Sequence, residues 1–209
     1  MKIKIVLTDI DGTLTAVDET RGMARSILSH FQDLAGKDVF PPDDVCISKS
    51  CEKYGVDAQE LARKLLADLS CHTVLRTDAA DFLRFCRASG RRLYTATTNS
   101  KYIALLKLSL GGITEEDFSG FFGGDAFNDP LGKGSPEFFP SILRAVGSSG
   151  DDVAMIGDEE KFDLYPALAA GIRTVIMVDL KQKEDVCFKN GAFFVNSLNH
   201  AKGILENVR

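Results

Sequence analysis

Ile3-Lys4-Ile5-Val6-Leu7-Thr8-Asp9-Ile10-Asp11-Gly12-Thr13 is the stretch whose reading decides the fold. Residues 3–7 are mostly aliphatic and β-branched and read as a strand. Directly after them come two carboxylates, Asp9 and Asp11, and a turn-forming glycine. Two later segments repeat this arrangement. Residues 92–97 read as a strand that runs into Thr98-Asn99-Ser100, and residues 153–156 as one that runs into Gly157-Asp158, with Asp163 five positions on. Residues 174–178 and 192–195 complete the set, and Phe121-Phe122 reads as a short further strand.

Helical patterns separate these strands. Residues 78–89 carry Phe82, Leu83, Phe85 and Cys86 on one face and stop at Gly90, a residue suited to a helix C-terminus. Ser135-Pro136-Glu137 supplies an N-cap, a first-turn proline and an early acid, and so opens a helix that runs to about Val146. A shorter helix lies within residues 161–170, with Pro166 in its first turn, and closes at Gly171. Strand–helix alternation of this kind predicts an α/β fold, a mostly parallel sheet with helices on both faces.

From about Leu14 to Thr77 the alternation stops. Met23, Ile27, Leu28, Phe31 and Leu34 share a helical face, as do Leu61, Leu65, Leu66 and Leu69, and residues 41–44 (Pro-Pro-Asp-Asp) mark a turn between them. An all-helical insertion over residues 15–77 is therefore expected, dividing a core made of residues 1–14 and 78–209. Glycines at 111, 112, 120, 123, 124, 132 and 134 make the stretch around Phe121 loop-rich.

Composition narrows the function classes. The chain has 209 residues, 44% of them apolar and 26% charged, which fits a globular protein and not a disordered one. No run approaches the ~18 apolar residues of a membrane span, and the start lacks a signal-peptide pattern. A net charge of −5 without a basic run argues against nucleic acid as the main partner. A cytoplasmic protein is expected. Cys46, Cys51, Cys71, Cys86 and Cys187 form no C-x-x-C pair and read as free thiols. A metal site on Cys71-His72 would need better support than His30 and His200 offer.

In an open α/β sheet, ligands bind beyond the carboxyl ends of the strands. If the three strands are neighbours, Asp9, Asp11, Thr98 and Asp158 meet at one edge, and Lys133 reaches it from the glycine-rich loop. Clustered carboxylates repel one another, and one lysine does not neutralise three. A hard dication does, and oxygen ligands with several waters favour Mg²⁺. An anion rich in oxygens, such as phosphate, would then bridge the metal, Lys133, Thr98 and nearby backbone N–H groups.

Together these segments resemble the four motifs of the haloacid dehalogenase superfamily. Asp9-Ile10-Asp11-Gly12-Thr13 is similar to its D-x-D-G-T motif, Thr98 to the second, Lys133 to the third, and Gly157-Asp158 with Asp163 to the acidic fourth. The resemblance implies a Rossmann-like core with a helical cap of the C1 type. It further implies Asp9 as nucleophile forming an aspartyl-phosphate and Asp11 as general acid and base. Asp9, Asp158 and the Asp11 carbonyl would hold Mg²⁺, with Asp163 and Glu159 in support. Thr98, Asn99 and Lys133 would hold the phosphoryl group. Two acids in the first motif are typical of phosphatases and phosphomutases, whereas transport ATPases carry Thr in place of the second. Two departures stand out: Gly134 follows Lys133 where Pro is common, and Glu159 replaces a frequent Ser or Asp.

A phosphatase acting on a small phosphorylated metabolite is the function these readings favour, with a phosphomutase as the enzymatic alternative. A phospho-accepting signalling module or an inactive binding protein are the alternatives of another class. Walker and dinucleotide motifs fail, since Phe127 and Glu137 stand where each would need glycine. Arg21, Arg25, His30, Lys49 and Lys53 are the cap residues whose charge would suit a substrate contact, but charged helix positions are most often a solvated face.

Overall fold

A computed structural model describes residues 2–16, 20–36, 47–127, 129 and 131–208. The turn at 41–44 and Cys46 lie outside them, as do the side chains of Arg21, Met23, Arg25, Lys49, Cys71 and His72. Seven strands form one sheet: β1 (Ile5–Thr8), β2 (Arg92–Ala96), β3 (Gly120–Phe122), β4 (Val153–Gly157), β5 (Thr174–Val178), β6 (Val186–Lys189) and β7 (Ala192–Val195). Their spatial order is β3-β2-β1-β4-β5-β7-β6, parallel throughout except for the β6–β7 pair.

The helices of the core are α4 (Ala79–Ala88), α5 (Lys101–Ser109), α6 (Phe138–Val146), α7 (Tyr165–Ala169) and α8 (Leu198–Asn207), after the inserted α1 (Thr20–Ala35), α2 (Ile47–Tyr54) and α3 (Ala58–His72). Alternate strand residues point to opposite faces. Ile5 and Leu7 pack with Phe139, Ile142 and Ala167 of α6 and α7. Val6 packs with Phe82, Cys86, Ala104, Leu108 and Ala201 of α4, α5 and α8. Every residue of β1 is buried. Full burial of a side chain such as Leu7 is worth roughly 1.5–3 kcal/mol relative to exposure, so the short central strand is firmly held.

The insertion between β1 and β2 has its own apolar cluster. Ile27, Phe31, Cys51, Leu61, Leu65 and Leu69 close on one another and on Ile103 of α5. Its two chain passages are tied together: Thr15 pairs with Leu75, the Ala16 N–H donates to the Val74 carbonyl at 2.7 Å, and the Arg76 N–H donates to the Leu14 carbonyl at 2.9 Å. Cys51 and Cys86 are buried free thiols and Cys187 is a half-buried one. Among the described residues, no helix is long and apolar enough to cross a membrane.

Three local readings change. The helix expected from Ser135 starts at Phe138, because Ser135 Oγ accepts the Glu137 N–H and the Ser135 carbonyl accepts the Phe138 N–H, forming a turn that competes with helix. The helix expected within residues 161–170 begins as a π turn, Glu160–Leu164, before α7. β6 and α8 have no counterpart in the sequence reading.

Candidate active site

Parallel pairing of β1 with β2 on one side and β4 on the other brings their carboxyl ends level, with Thr8 opposite both Thr95 and Ile156. This is the point where the strand order reverses, the usual place for a ligand in such a sheet. Asp9 follows β1 and donates its N–H to the Ile156 carbonyl at 2.8 Å. Gly12 turns the chain with φ of 72°, and a Cβ there would stand 2.0 Å from Asp158 Oδ2, so the two acidic loops approach only because this residue lacks a side chain. Lys133 arrives by a similar close approach. Its turn, Gly132–Gly134, rests on Gly124, whose missing Cβ would lie 2.6 Å from the Thr98 carbonyl.

The result is a buried ionic cluster. Lys133 Nζ lies 3.0 Å from Asp9 Oδ1 and 2.5 Å from Asp163 Oδ1, with the lysine and Asp163 side chains sealed from solvent. Asp163 Oδ2 accepts the N–H groups of Asp158 (3.1 Å) and Glu159 (3.0 Å). Asp163 therefore anchors both the lysine and the loop that carries Asp158. Glu159 itself is exposed. Burial works against the charge of Lys133, but Asp163 and Asp9 more than offset it and hold the ammonium above its ordinary value. Burial pushes the Asp9 carboxyl up to about 7; Lys133 opposes the shift, and the charges of Asp163 and Asp11 add to it.

Asp11 belongs to a second buried ion pair that the sequence reading missed. Lys107 Nζ lies 2.7 Å from each of its carboxylate oxygens. Asn99 Nδ2 donates to Asp11 Oδ2 at 2.6 Å and to Thr97 Oγ1 at 3.0 Å, while Asn99 Oδ1 accepts from Lys107 at 3.2 Å. The count of one lysine for the whole acidic group is thus corrected to two, with Lys133 serving Asp9 and Lys107 serving Asp11. Lys107 had a legible signal: it shares with Ile103, Ala104 and Leu108 the buried face of α5. Thr98 is exposed just past β2, and among the described residues its hydroxyl has no partner. In the insertion, His30 pairs with Asp68 at 2.8 Å and Lys53 lies over the Tyr54 ring, so both have partners within their own unit.

The model of haloacid dehalogenase-like hydrolases matches residues 3–171, most of the chain. The chain belongs to this family. Among curated relatives, the phospholysine phosphohistidine inorganic pyrophosphate phosphatase of Xenopus laevis is 35% identical over 80 residues, which cover 36% of this chain and 29% of that protein. The HAD phosphatase of Thermococcus onnurineus shares the fold along the full length of both chains, with a TM-score of 0.65 at 20% identity. The HAD-hydrolase YfnB of Bacillus subtilis, solved with magnesium bound, does so with a TM-score of 0.63 at 16% identity.

Whether the hydrolase's acidic residues suit a metal can be judged from their oxygens. One carboxylate oxygen each from Asp9, Asp158 and Asp163 lies within 4.8 Å of the others. Asp9 Oδ1 and Asp163 Oδ1 are buried and face Lys133 as ions, without an aligned hydrogen bond. Loss of surrounding water, then the charges of Asp9 and Asp163, push the Asp158 carboxyl up to about 8. That residue is nonetheless open to solvent on one side, so water screens part of the repulsion. Under-satisfied oxygens that repel one another fit a hard divalent cation.

A pH dependence follows. Asp9 and Asp158 bind protons more tightly folded than unfolded, with 3.8 as the ordinary value for both. Their contribution to stability is complete below that value and is lost as pH rises through about 7 and about 8. The melting temperature of metal-free hydrolase is expected to fall between about pH 5 and pH 8, and an added divalent cation to raise it more at the upper end. Thermal scans in chelator and in cation at both pH values check this; a cation effect of equal size at each would contradict it.

Proposed function

We propose that the hydrolase is an Mg²⁺-dependent phosphatase acting on a small phosphorylated metabolite through an aspartyl-phosphate on Asp9. The observation that carries the reading is the pairing of Asp9 with a buried ammonium at 3.0 Å while Asp158 faces it from the next strand. A phosphoryl group on Asp9 would then have Lys133 on one side and, on the other, the dication that Asp158 would help to hold. Asp9 attacks phosphorus, the bond to the leaving oxygen breaks, and Asp11, entering the step as the carboxylic acid, gives its proton to that oxygen. Asp11 then takes a proton from water, which attacks the aspartyl-phosphate and releases inorganic phosphate, restoring Asp9.

Lys133 and the Thr98 hydroxyl hold the phosphoryl oxygens. Asn99 enters through Asp11, since its amide is already engaged with Asp11, Thr97 and Lys107. Mg²⁺ held by Asp9, Asp158 and the Asp11 carbonyl, with Asp163 and Glu159 behind them, would supply charge neutralisation on the transferred group. The insertion, residues 15–77, acts as a cap whose helices restrict access to small substrates. The likeness to a curated phosphatase and to a magnesium-bound hydrolase supports this reading.

The test is release of inorganic phosphate from p-nitrophenyl phosphate and from a panel of phosphorylated metabolites. Turnover with Mg²⁺ that EDTA abolishes is the expected result. An unchanged rate in EDTA would refute the metal requirement, and label exchanged between two sugar phosphates without phosphate release would make the enzyme a mutase.

A further inference from the structure

Lys107 is fully buried within α5, yet the phosphatase chemistry outlined above gives it no task. An ammonium removed from water persists only when its N–H groups are matched. Here all three are, by Asp11 Oδ1 and Oδ2 at 2.7 Å each and by Asn99 Oδ1 at 3.2 Å. Asn99 Nδ2 adds a further bond to Asp11 Oδ2 at 2.6 Å and is itself steadied by Thr97 Oγ1 at 3.0 Å. Thr97 is buried. Both oxygens of Asp11 are thus gripped by one segment, the end of β2 and the helix after it, while its backbone belongs to the loop after β1. No comparable grip holds Asp9, which faces Lys133 without an aligned hydrogen bond, or Asp158, whose Oδ1 accepts a long bond from the Thr13 hydroxyl at 3.5 Å and which is otherwise open to solvent.

A carboxyl group that must first, as the acid, protonate a leaving oxygen and then, as the carboxylate, deprotonate water at nearly the same point gains from having one orientation, because a misplacement of ~1 Å can cost about a hundredfold in rate. We propose that Lys107 is a positioning residue: with Asn99, it holds the Asp11 carboxylate in the orientation for proton transfer and makes no contact with the phosphoryl group. The assignment rests on Asp11 being the acid and base of the proposed phosphatase. It also ties proton transfer to the insertion. Ile103, one turn before Lys107, lies in the apolar cluster of α1–α3, and the Tyr102 hydroxyl donates to the Ala58 carbonyl at 2.8 Å. The helix that orients Asp11 is therefore the helix on which the inserted unit sits.

A double-mutant cycle tests this with two probes, p-nitrophenyl phosphate and phenyl phosphate, whose leaving groups differ in their need for a proton. Lys107→Met keeps the side chain's length and suits an apolar setting. It is expected to lower kcat/KM for phenyl phosphate about tenfold or more beyond its effect on p-nitrophenyl phosphate. In the Asp11→Asn background the same change is expected to alter either rate by less than about twofold. That second comparison is informative even if Lys107→Met alone folds poorly, because Asp11→Asn leaves no buried carboxylate to orphan.

Equal losses on both probes would overturn the proposal, as would a further fall when Lys107→Met is added to Asp11→Asn. Either would show Lys107 acting on structure at large or on the phosphoryl group. If Asp11→Asn alone retained full activity on phenyl phosphate, the fault would lie in the acid–base reading of Asp11, and the role of Lys107 would fall with it.

Discussion

Asp9→Asn is expected to lower kcat by more than about ten-thousand-fold, the scale on which losing a covalent nucleophile is felt. The amide keeps the size of the carboxylate but is a far poorer nucleophile. The loss should not come from unfolding. Asp9 is a buried acid whose carboxyl is pushed up to about 7, chiefly by burial, so at about pH 8 its charge is a burden on the metal-free fold. Removing that charge should leave the metal-free melting temperature unchanged or higher, an exchange of activity for stability common at active sites. Residual activity within tenfold of the parent, or a variant that melts far lower, would contradict the assignment. Circular dichroism melts and single-turnover rates with p-nitrophenyl phosphate check both halves.

Lys133→Met should have the second-largest effect, and here stability falls as well. The change strands Asp9 and Asp163, which Lys133 now faces at 3.0 Å and 2.5 Å inside the protein. Breaking a buried pair by removing one partner costs roughly 3–5 kcal/mol. The penalty depends on pH in a defined direction. Without the ammonium, the Asp9 carboxyl moves further above about 7, so more stability is lost as pH rises. The variant's deficit should therefore be smaller at about pH 5 than at about pH 8. Denaturant titrations at the two pH values measure this, and a penalty independent of pH would argue against the ion cluster. Activity should fall too, since the phosphoryl group loses a cationic contact.

Much of this site was legible because each acid directly follows a strand. Strands β5 and β7 match the bounds read from the sequence, and β1, β2 and β4 lie within two residues of them. Buried parallel strands read as continuous apolar runs, so their ends mark where Asp9, Thr98 and Asp158 stand. The elements that the sequence does not reveal have physical reasons for hiding. β6 is a short edge strand with three of its four residues exposed, so it shows no burial pattern. Its turn, Asn190-Gly191, with φ of 53° and 80°, is nonetheless a strong hairpin signal that could have revealed it.

The π turn before α7 was not legible. Asp163 binds the N–H groups of Asp158 and Glu159 across the loop, a tertiary demand that helix propensity does not record. Lys107 hid in a different way. A lysine in a helix is usually solvated, and only its spacing from Ile103 and Ala104 marks it as facing inward. The helical insertion between β1 and β2 shows in the sequence as a break in strand–helix alternation, whereas its seating on Ile103 of α5 required the fold.

The most direct test of the account is to trap the phosphorylated enzyme. Enzyme mixed with substrate and Mg²⁺, quenched in acid and treated with borohydride, would have an acyl phosphate reduced to the alcohol. Peptide mass mapping should then find the modified residue at Asp9 alone, in wild type and not in Asp9→Asn. Modification at Asp11, Asp158 or Asp163, or brisk turnover that leaves no acyl phosphate at any time point, would contradict it.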